Sequence, residues 1–166
     1  MSESQATLLP VAHGPGEGEH LWFFGALTTL KATSAETGGQ AVVIEQRAPR
    51  GSGSPLHVHH NEDEWFYVLE GELTIWAGGQ TVVAGPGSLV FGPREVPHTF
   101  IVSSETARYL LVAQPAGFED FVRALAEPAT ALEIPPAPTS PPDMGPILEA
   151  ASAAGIEILG PPGIPA

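Results

Sequence analysis

Cysteine is absent from this chain of 166 residues, and basic residues are almost as scarce. Without cysteine the protein forms neither disulfides nor thiolate metal sites, and its composition does not indicate a redox compartment. Lysine and arginine together number 6 against 19 acidic residues, which gives a formal net charge of -13. Nucleic acids and anionic membranes are bound by clustered positive charge, so this composition argues against both as partners.

Long apolar runs are also missing. Met1 to His20 is a polar, acidic leader in which no basic segment precedes an apolar stretch. We therefore expect neither a signal peptide nor a membrane span, and we predict cytoplasmic residence.

Glycine and proline, in contrast, are abundant, with 19 and 18 copies. They punctuate short apolar runs without a repeating period, which is typical of many short strands joined by turns. The predicted strand-like runs are Leu21 to Leu30, Ala41 to Arg47, Trp65 to Leu69, Glu72 to Ala77, Gln80 to Val83, Ser88 to Phe91, Thr99 to Val102 and Arg108 to Val112. Eight short strands favour an all-β barrel or jelly roll.

A group of histidines and carboxylates carries the chemistry. His57 and His59 are two residues apart, so on an extended strand both imidazoles point to one face. Glu64 lies an odd number of positions from His59, so a turn must intervene for it to reach that face. Residues 60–63 can form this turn, because Asn and Asp tolerate tight backbone angles. The run from Trp65 then reads as the returning strand of a hairpin that ends at Gly71.

His98 follows a proline turn downstream and supplies a fourth ligand. Three imidazoles and a carboxylate suit a divalent first-row metal and leave two octahedral positions open. Glu62 and Asp63 are alternatives to Glu64 if the turn has another shape. Strand alternation turns His60 outward, where it supports the turn or orients a ligand.

Other polar residues near this pattern receive simpler interpretations. His13 and His20 lie in a glycine-rich leader without a partner at local spacing, so we expect them to be solvated. Arg94 is interpreted as a surface charge, with contact to an acidic substrate as the alternative.

The spacing from Gly51 to Gly71, G-x5-H-x-H-x4-E-x6-G, resembles the first cupin motif, and the segment from Gly87 to His98 resembles the second. Glu95 and Val102 depart from the residues that many cupins have there, Gly and Asn. The resemblance implies a single jelly-roll, or double-stranded β-helix, barrel. In this family neither departing position is a metal ligand, so the metal assignment is unaffected.

The wider sequence is similar to small single-domain bacterial cupins of the quercetin 2,3-dioxygenase type. This similarity implies one divalent metal, Ni, Co, Mn or Fe, bound by His57, His59, Glu64 and His98. A small aromatic flavonol and O2 would be the substrates, Glu64 would accept the flavonol 3-hydroxyl proton, and the products would be CO and a depside. Two alternatives stay open: a cupin isomerase, lyase or hydrolase acting on another enolisable molecule, or a binding protein without catalysis.

A flat aromatic substrate needs an apolar slot beside the metal. Phe66 and Val68 share the face of Glu64 by strand alternation, and Phe100 shares the face of His98. These three residues are candidate pocket walls. Small barrels are usually filled by such side chains, however, so we favour the interpretation that they pack in the barrel core.

The chain divides into the leader 1–20, a barrel over 21–115 and a C-terminal part over 116–166 that packs on the barrel or on a partner. A short amphipathic helix is predicted from Phe118 to Ala126, and a second from an Asp143 cap to Ala154. The proline-rich segment 128–142 between them is predicted to be an extended connector or disordered. Ile156 to Leu159 is a candidate edge strand or a strand for a partner, and the family resemblance implies a homodimer.

Overall fold

A computed structural model describes residues 7–166; the first six residues of the predicted leader lie outside the described part. Its strands are β1 Glu19–Phe23, β2 Ala26–Ala32, β3 Val42–Pro49, β4 Pro55–His59, β5 Asp63–Glu70, β6 Leu73–Ala77, β7 Gln80–Ala84, β8 Leu89–Gly92, β9 His98–Val102, β10 Thr106–Gln114, β11 Glu127–Pro128 and β12 Ile156–Pro162. The helices are α1 Ser34–Thr37, α2 Phe118–Leu125 and α3 Met144–Ala153.

The strands form two antiparallel sheets. One has seven strands in the order β11-β1-β2-β3-β10-β5-β8, and the other has five in the order β12-β4-β9-β6-β7. Their inner faces enclose one apolar core, in which Leu30, Ile44, Leu73 and Ile75 are at most 2% exposed. The predicted all-β jelly roll with short C-terminal helices is confirmed.

Two details of the predicted strands were wrong. The run from Leu21 to Leu30 is a tight hairpin, because Phe24 and Gly25 adopt positive φ angles of 45° and 78° and reverse the chain. The expected hairpin between the His57 strand and the Trp65 strand is also absent from the described structure. β4 pairs with β9 and β12, whereas β5 lies in the other sheet between β10 and β8, so residues 60–62 carry the chain across the barrel.

The C-terminal part packs against the barrel through α2. Phe121 and Val122 are buried on the barrel side of this helix, and the Phe121 ring meets that of Phe23 edge-on at 5.9 Å between centroids. The proline-rich connector then passes β1, where the Trp22 indole N–H donates to the Glu133 carbonyl at 3.0 Å. None of the helices in residues 7–166 is long and apolar enough to cross a membrane.

The final strand, β12, makes the C-terminal residues part of the barrel. Asp143 caps α3 by accepting a hydrogen bond from the Gly145 N–H at 3.0 Å, and β12 then pairs with β4. The predicted edge strand is therefore confirmed as part of this chain's own sheet, and it extends past Leu159 to Pro162.

Candidate metal centre

Three strands bring the four predicted ligands to one point. His57 and His59 project from β4, and the register of the five-stranded sheet places His98 of β9 directly opposite His57. Glu64 projects from β5 in the facing sheet, where Ala113 and Gly92 are its neighbours across the strands. The two small neighbours leave room beside the carboxylate, and the facing sheets close the cluster from both sides.

The four side chains could hold one metal ion. One donor atom from each of His57, His59, Glu64 and His98 lies within 4.8 Å of the others. The closest contacts are 3.0 Å between the Nε2 atoms of His57 and His59, and 2.9 Å between His98 Nε2 and Glu64 Oε2. His59, Glu64 and His98 are almost fully buried, and His57 is half-buried as a whole residue although it counts as buried within the cluster.

The outer nitrogen of each imidazole is occupied. His57 Nδ1 donates to the Pro55 carbonyl at 2.8 Å, and His98 Nδ1 donates to the Val96 carbonyl at 3.1 Å. His59 Nδ1 donates to the Glu62 carboxylate at 2.6 Å. With the Nδ1 atoms directed outward, the Nε2 atoms converge on Glu64. The positive charge that stabilises this arrangement is either a proton, as in the contact between His98 Nε2 and Glu64, or a metal ion.

The pKa values agree with a site that needs one positive charge. Burial and the neighbouring imidazoles lower the pKa of His57 to about 4. Burial alone would raise the pKa of Glu64, but the charge of His59 and the hydrogen bond from His98 lower it to about 2. Burial opposes protonation of His59, yet Glu64 and Glu62 outweigh it and raise its pKa. The two carboxylates therefore favour positive charge at His59, from a proton or from a metal ion.

Glu62 orients a ligand, a role that the sequence interpretation had offered to His60. Glu62 is 5% exposed and turns its carboxylate toward His59 rather than toward the centre of the cluster. His60 points outward as expected, where its two nitrogens contact Glu95 at 2.9 Å and Glu157 at 3.1 Å. Glu62 lies two positions before Glu64 and continues the inward-facing alternation of β5, in which residues 62, 64 and 66 are buried.

The backbone around the ligands is supported from two directions. β12 pairs with β4 so that Ile156 lies opposite His59, and Gly155 leads into this strand with φ 68°. A Cβ at Gly155 would meet the Asn61 side chain, and the positive φ also favours glycine at this position. Glu95, which departs from the family glycine, also has a left-handed φ of 65°, and its N–H donates to the His59 carbonyl at 2.8 Å.

The other residues singled out in the sequence also have defined positions. Asp63 does not face the ligands; it binds the Arg94 guanidinium at 3.0 Å on the surface. His13 is exposed but contacts Glu36 at 3.2 Å, so it has a carboxylate partner that local spacing did not reveal. His20 is half-buried rather than fully solvated, because the leader folds back on the sheet. Its two ring nitrogens form hydrogen bonds with Thr29 and with the Gly16 carbonyl.

The predicted pocket residues lie in the barrel core. Phe66, Val68 and Phe100 are 1%, 0% and 9% exposed. Phe66 is nearest to the ligands, with its ring centroid 6.5 Å from that of His98. Val68 is four residues from Glu64, about 13 Å along an extended strand. Contact of these three side chains with a substrate stays a prediction.

Phe118 is an aromatic neighbour of the site that the sequence analysis missed. Its ring lies 5.6 Å from that of His59 and stacks on Phe121 at 5.6 Å. The sequence placed Phe118 at the start of a helix but gave no indication that this helix docks beside the ligands. That position depends on how α2 packs against β1.

Comparison with known proteins agrees with this geometry. Residues 43–113, which include all four candidate ligands, match the family model for the cupin domain. The chain contains a cupin domain. Quercetin 2,3-dioxygenase of Bacillus subtilis is 32% identical to it over 120 residues, which cover 72% of this chain and 36% of that protein. The chain thus spans only about a third of the length of this relative.

Solved structures share the fold of this cupin domain. A predicted oxalate decarboxylase from Thermotoga maritima aligns with a TM-score of 0.57 and 18% identity over 64% of this chain and 99% of its own. The nucleoside dehydratase Pac13 aligns with a TM-score of 0.55 and 17% identity over 73% of this chain and 92% of its own. Cupin relatives therefore include enzymes, and at these identities the structural likeness shows the fold alone.

Proposed function

We propose that the protein is a metal-dependent dioxygenase that cleaves a quercetin-like flavonol with O2 and releases CO and a depside. The observation that carries this proposal is the 32% identity to a quercetin 2,3-dioxygenase over 72% of the chain. The buried cluster of three histidines and one glutamate supports it, because these groups could hold a divalent metal.

His57, His59, Glu64 and His98 would hold one divalent ion, with Ni, Co, Mn and Fe as candidates. When bound, the metal would hold the flavonol 3-hydroxyl beside O2 and make that hydroxyl acidic. The donor set fits such an ion, because three outward Nδ1–H groups leave three inward lone pairs next to a carboxylate. These ligands suit several first-row metals, so metal identity must be measured.

We propose that Glu64 takes the hydroxyl proton. Its pKa of about 2 keeps the carboxylate ionised at neutral pH, and its two oxygens face different partners, His59 and His98. A pKa this low also makes Glu64 a weak base. The transfer is therefore favoured by a hydroxyl that is made acidic at the site.

Aromatic side chains lie beside the cluster, and we propose that they contact a flat substrate. Phe118 lies against His59 at the end of the barrel that α2 covers, and Phe66 lies behind His98. We propose that a flavonol reaches the site from the side of His57, the most exposed of the four ligands. Phe118 would then contact the substrate, whereas Phe66 would close the inner end of the pocket.

The test is aerobic turnover of quercetin by protein loaded separately with Ni, Co, Mn and Fe. Flavonol absorbance, oxygen uptake and CO release are followed together, with each metal alone as the background control. Coupled oxygen uptake and CO release support the proposal. Glu64→Gln is expected to keep an oxygen ligand and hence more metal than activity. Absence of turnover with every metal would direct the search to isomerase, lyase or hydrolase chemistry, or to binding without catalysis.

We further propose that the protein is a homodimer whose contact lies on the outer face of β5 and β8. The register places Tyr67 opposite Leu89 and Trp65 opposite Phe91 on this face, where Tyr67, Leu89 and Phe91 are 41%, 61% and 49% exposed. β8 is also an edge strand, so its outer backbone groups can pair with a second copy.

Sedimentation velocity tests the dimer. Phe91→Glu is expected to give a monomer, and Leu148→Glu, which changes an exposed leucine on α3, serves as the matched control. A wild-type monomer at all concentrations would contradict this assembly. Residence in the cytoplasm stays a prediction.

A further inference from the structure

A cavity lies on the outside of the barrel, away from the metal ligands. It has a volume of about 520 Å³ and sits on the outer face of β2, β3 and β10. Glu45 and Arg47 line it, whereas the alternating residues Ile44 and Gln46 are buried toward the core. This volume falls within the range of small-molecule sites.

The residues that line the cavity carry a net positive charge, although the protein as a whole is acidic. Three of the six basic residues, Lys31, Arg47 and Arg108, line it, together with one acidic residue, Glu45. With a net charge of -13 the chain as a whole repels anions. A local excess of cations in a concave surface focuses potential and attracts anions to that point.

Strand register places two of these basic residues directly opposite each other on neighbouring strands. Arg47 of β3 is the direct partner of Arg108 of β10, and like charges in opposite positions destabilise a sheet. Arg108 is neutralised by Glu45 at 3.2 Å and Glu70 at 2.7 Å. Arg47 is exposed and makes no side-chain hydrogen bond or ion pair with any of residues 7–166. Its guanidinium is therefore available to a ligand.

One wall of the cavity is held in place by the leader. The Lys31 ammonium donates to the carbonyls of Gly14 and Glu17, both at 2.8 Å. His20 donates from Nε2 to the Gly16 carbonyl at 2.9 Å and accepts from Thr29 at 3.0 Å. These bonds fix the loop without using Arg47, so the cavity is formed before any ligand binds.

Apolar side chains complete the lining. Leu27 of β2 neighbours Arg47 in the sheet register, and Leu132 of the proline-rich connector faces the same cavity. A ligand that contacts both the Arg47 guanidinium and the apolar lining would carry a planar anionic group and an apolar body. A guanidinium binds a carboxylate through two parallel hydrogen bonds, and this fixes the orientation of the anion.

We propose that this outer cavity binds a small organic carboxylate, with the carboxylate on Arg47 and the apolar body against Leu27 and Leu132. The site is separate from the metal centre, because its residues face outward from the sheet whose inner face carries Glu64. The proposal holds whether or not the protein cleaves flavonols.

Benzoate is a suitable probe, titrated into ¹⁵N-labelled, full-length, zinc-loaded protein while amide chemical shifts are recorded. Zinc is diamagnetic, so amides near the metal centre stay visible and report binding there separately. Saturable shifts in β2, β3 and β10 are expected, with a dissociation constant of about 1 mM. Arg47→Gln is expected to weaken binding about tenfold, because a charge-assisted hydrogen-bond pair is lost.

Arg50→Gln is the matched control, since Arg50 is an exposed arginine three positions away that does not line the cavity. Its benzoate affinity is expected to equal that of the wild type. Inorganic phosphate, which has no apolar body, is the second probe and is expected to bind more weakly. The proposal is overturned by absence of saturable shifts, by shifts confined to β4 and β9, by equal affinity in Arg47→Gln, or by tighter binding of phosphate than of benzoate.

Discussion

Glu62→Gln is the most informative change in this protein, because it alters one charge beside the ligands and keeps the side-chain shape. The Glu62 carboxylate accepts the Nδ1 proton of His59 at 2.6 Å in a buried position. A glutamine carbonyl can accept the same hydrogen bond but carries no charge. The change therefore lowers the electron donation of the imidazole toward a metal without removing a ligand.

The magnitude follows from the strength of the bond. A hydrogen bond to a charged group contributes about 1.5–3 kcal/mol, whereas a neutral one contributes about 0.5–1.5 kcal/mol. The difference of about 1.4 kcal/mol corresponds to a tenfold weaker metal affinity, at the lower end of the 10–100-fold that such supporting partners typically contribute.

The assay is competition for Co²⁺ or Zn²⁺ against a chelator of known affinity at neutral pH. Glu95→Gln provides the matched control. The Glu95 carboxylate makes the corresponding contact with the neighbouring histidine, 2.9 Å from His60 Nδ1, but this pair is exposed and neither of its side chains contacts a ligand side chain. Glu95→Gln should therefore bind metal as the wild type does. Glu95→Gln should unfold at the wild-type denaturant concentration, whereas Glu62→Gln should lose about 1–1.5 kcal/mol of stability with its buried charged hydrogen bond.

Equal metal affinity in Glu62→Gln and wild type would refute the reasoning that Glu62 tunes His59. Equal losses in Glu62→Gln and Glu95→Gln would also refute it, because a general charge effect would then explain the change. A loss specific to Glu62→Gln would place the carboxylate among the residues that support the metal.

Three further results are expected. Because the pKa of His59 is raised, protons compete with the metal from a higher pH than for an ordinary histidine. Metal affinity should therefore fall as the pH falls through this pKa. In Glu62→Gln, which lacks one of the charges that raise the pKa, the fall in affinity should begin at a lower pH. An affinity that is independent of pH between 5 and 8 would contradict this, since histidines titrate in that range. Gly71→Ala should destabilise the fold by about 3 kcal/mol in urea unfolding, because the new Cβ would clash with a backbone carbonyl of β10. Gly79→Ala has a similar φ but open space around it, so it should cost only about 1 kcal/mol. Similar losses of stability in the two variants would show that the clash at Gly71 has no effect. Tyr109→Phe should cost about 1–2 kcal/mol in the same assay, because the buried Tyr109 hydroxyl donates to Gln46 at 2.9 Å, and an unchanged midpoint would show that Gln46 finds another partner.

The ligand cluster is the part of the site that the sequence predicted best. Two histidines at spacing two must share a face of a strand, and the family spacing then selected Glu64 and His98. The structure brings these four side chains together. Glu62 stood in the same segment as an alternative ligand and shares the inward face of Glu64, but its contact with His59 depends on how the chain crosses from β4 to β5.

Local signals also predicted both C-terminal helices and the final strand. Apolar spacing gave α2, the Asp143 cap gave α3, and the β-branched run after Gly155 gave β12. They could not show that β12 pairs with the ligand strand, or that Phe118 lies against His59. Both contacts join residues more than 50 positions apart, and they form only when the whole barrel closes.

The sequence by itself determined the strand-rich composition, the chemical types of the four candidate ligands and the low positive charge of the chain. These properties depend on residue identity and short-range spacing, which act within one strand or one turn. The tertiary structure decided which strands pair, which carboxylate orients His59, and where Arg47 and Arg108 meet on the outer sheet. The physical reason is that register and burial are set by the packing of distant segments, and both determine which polar groups lose water and need a partner.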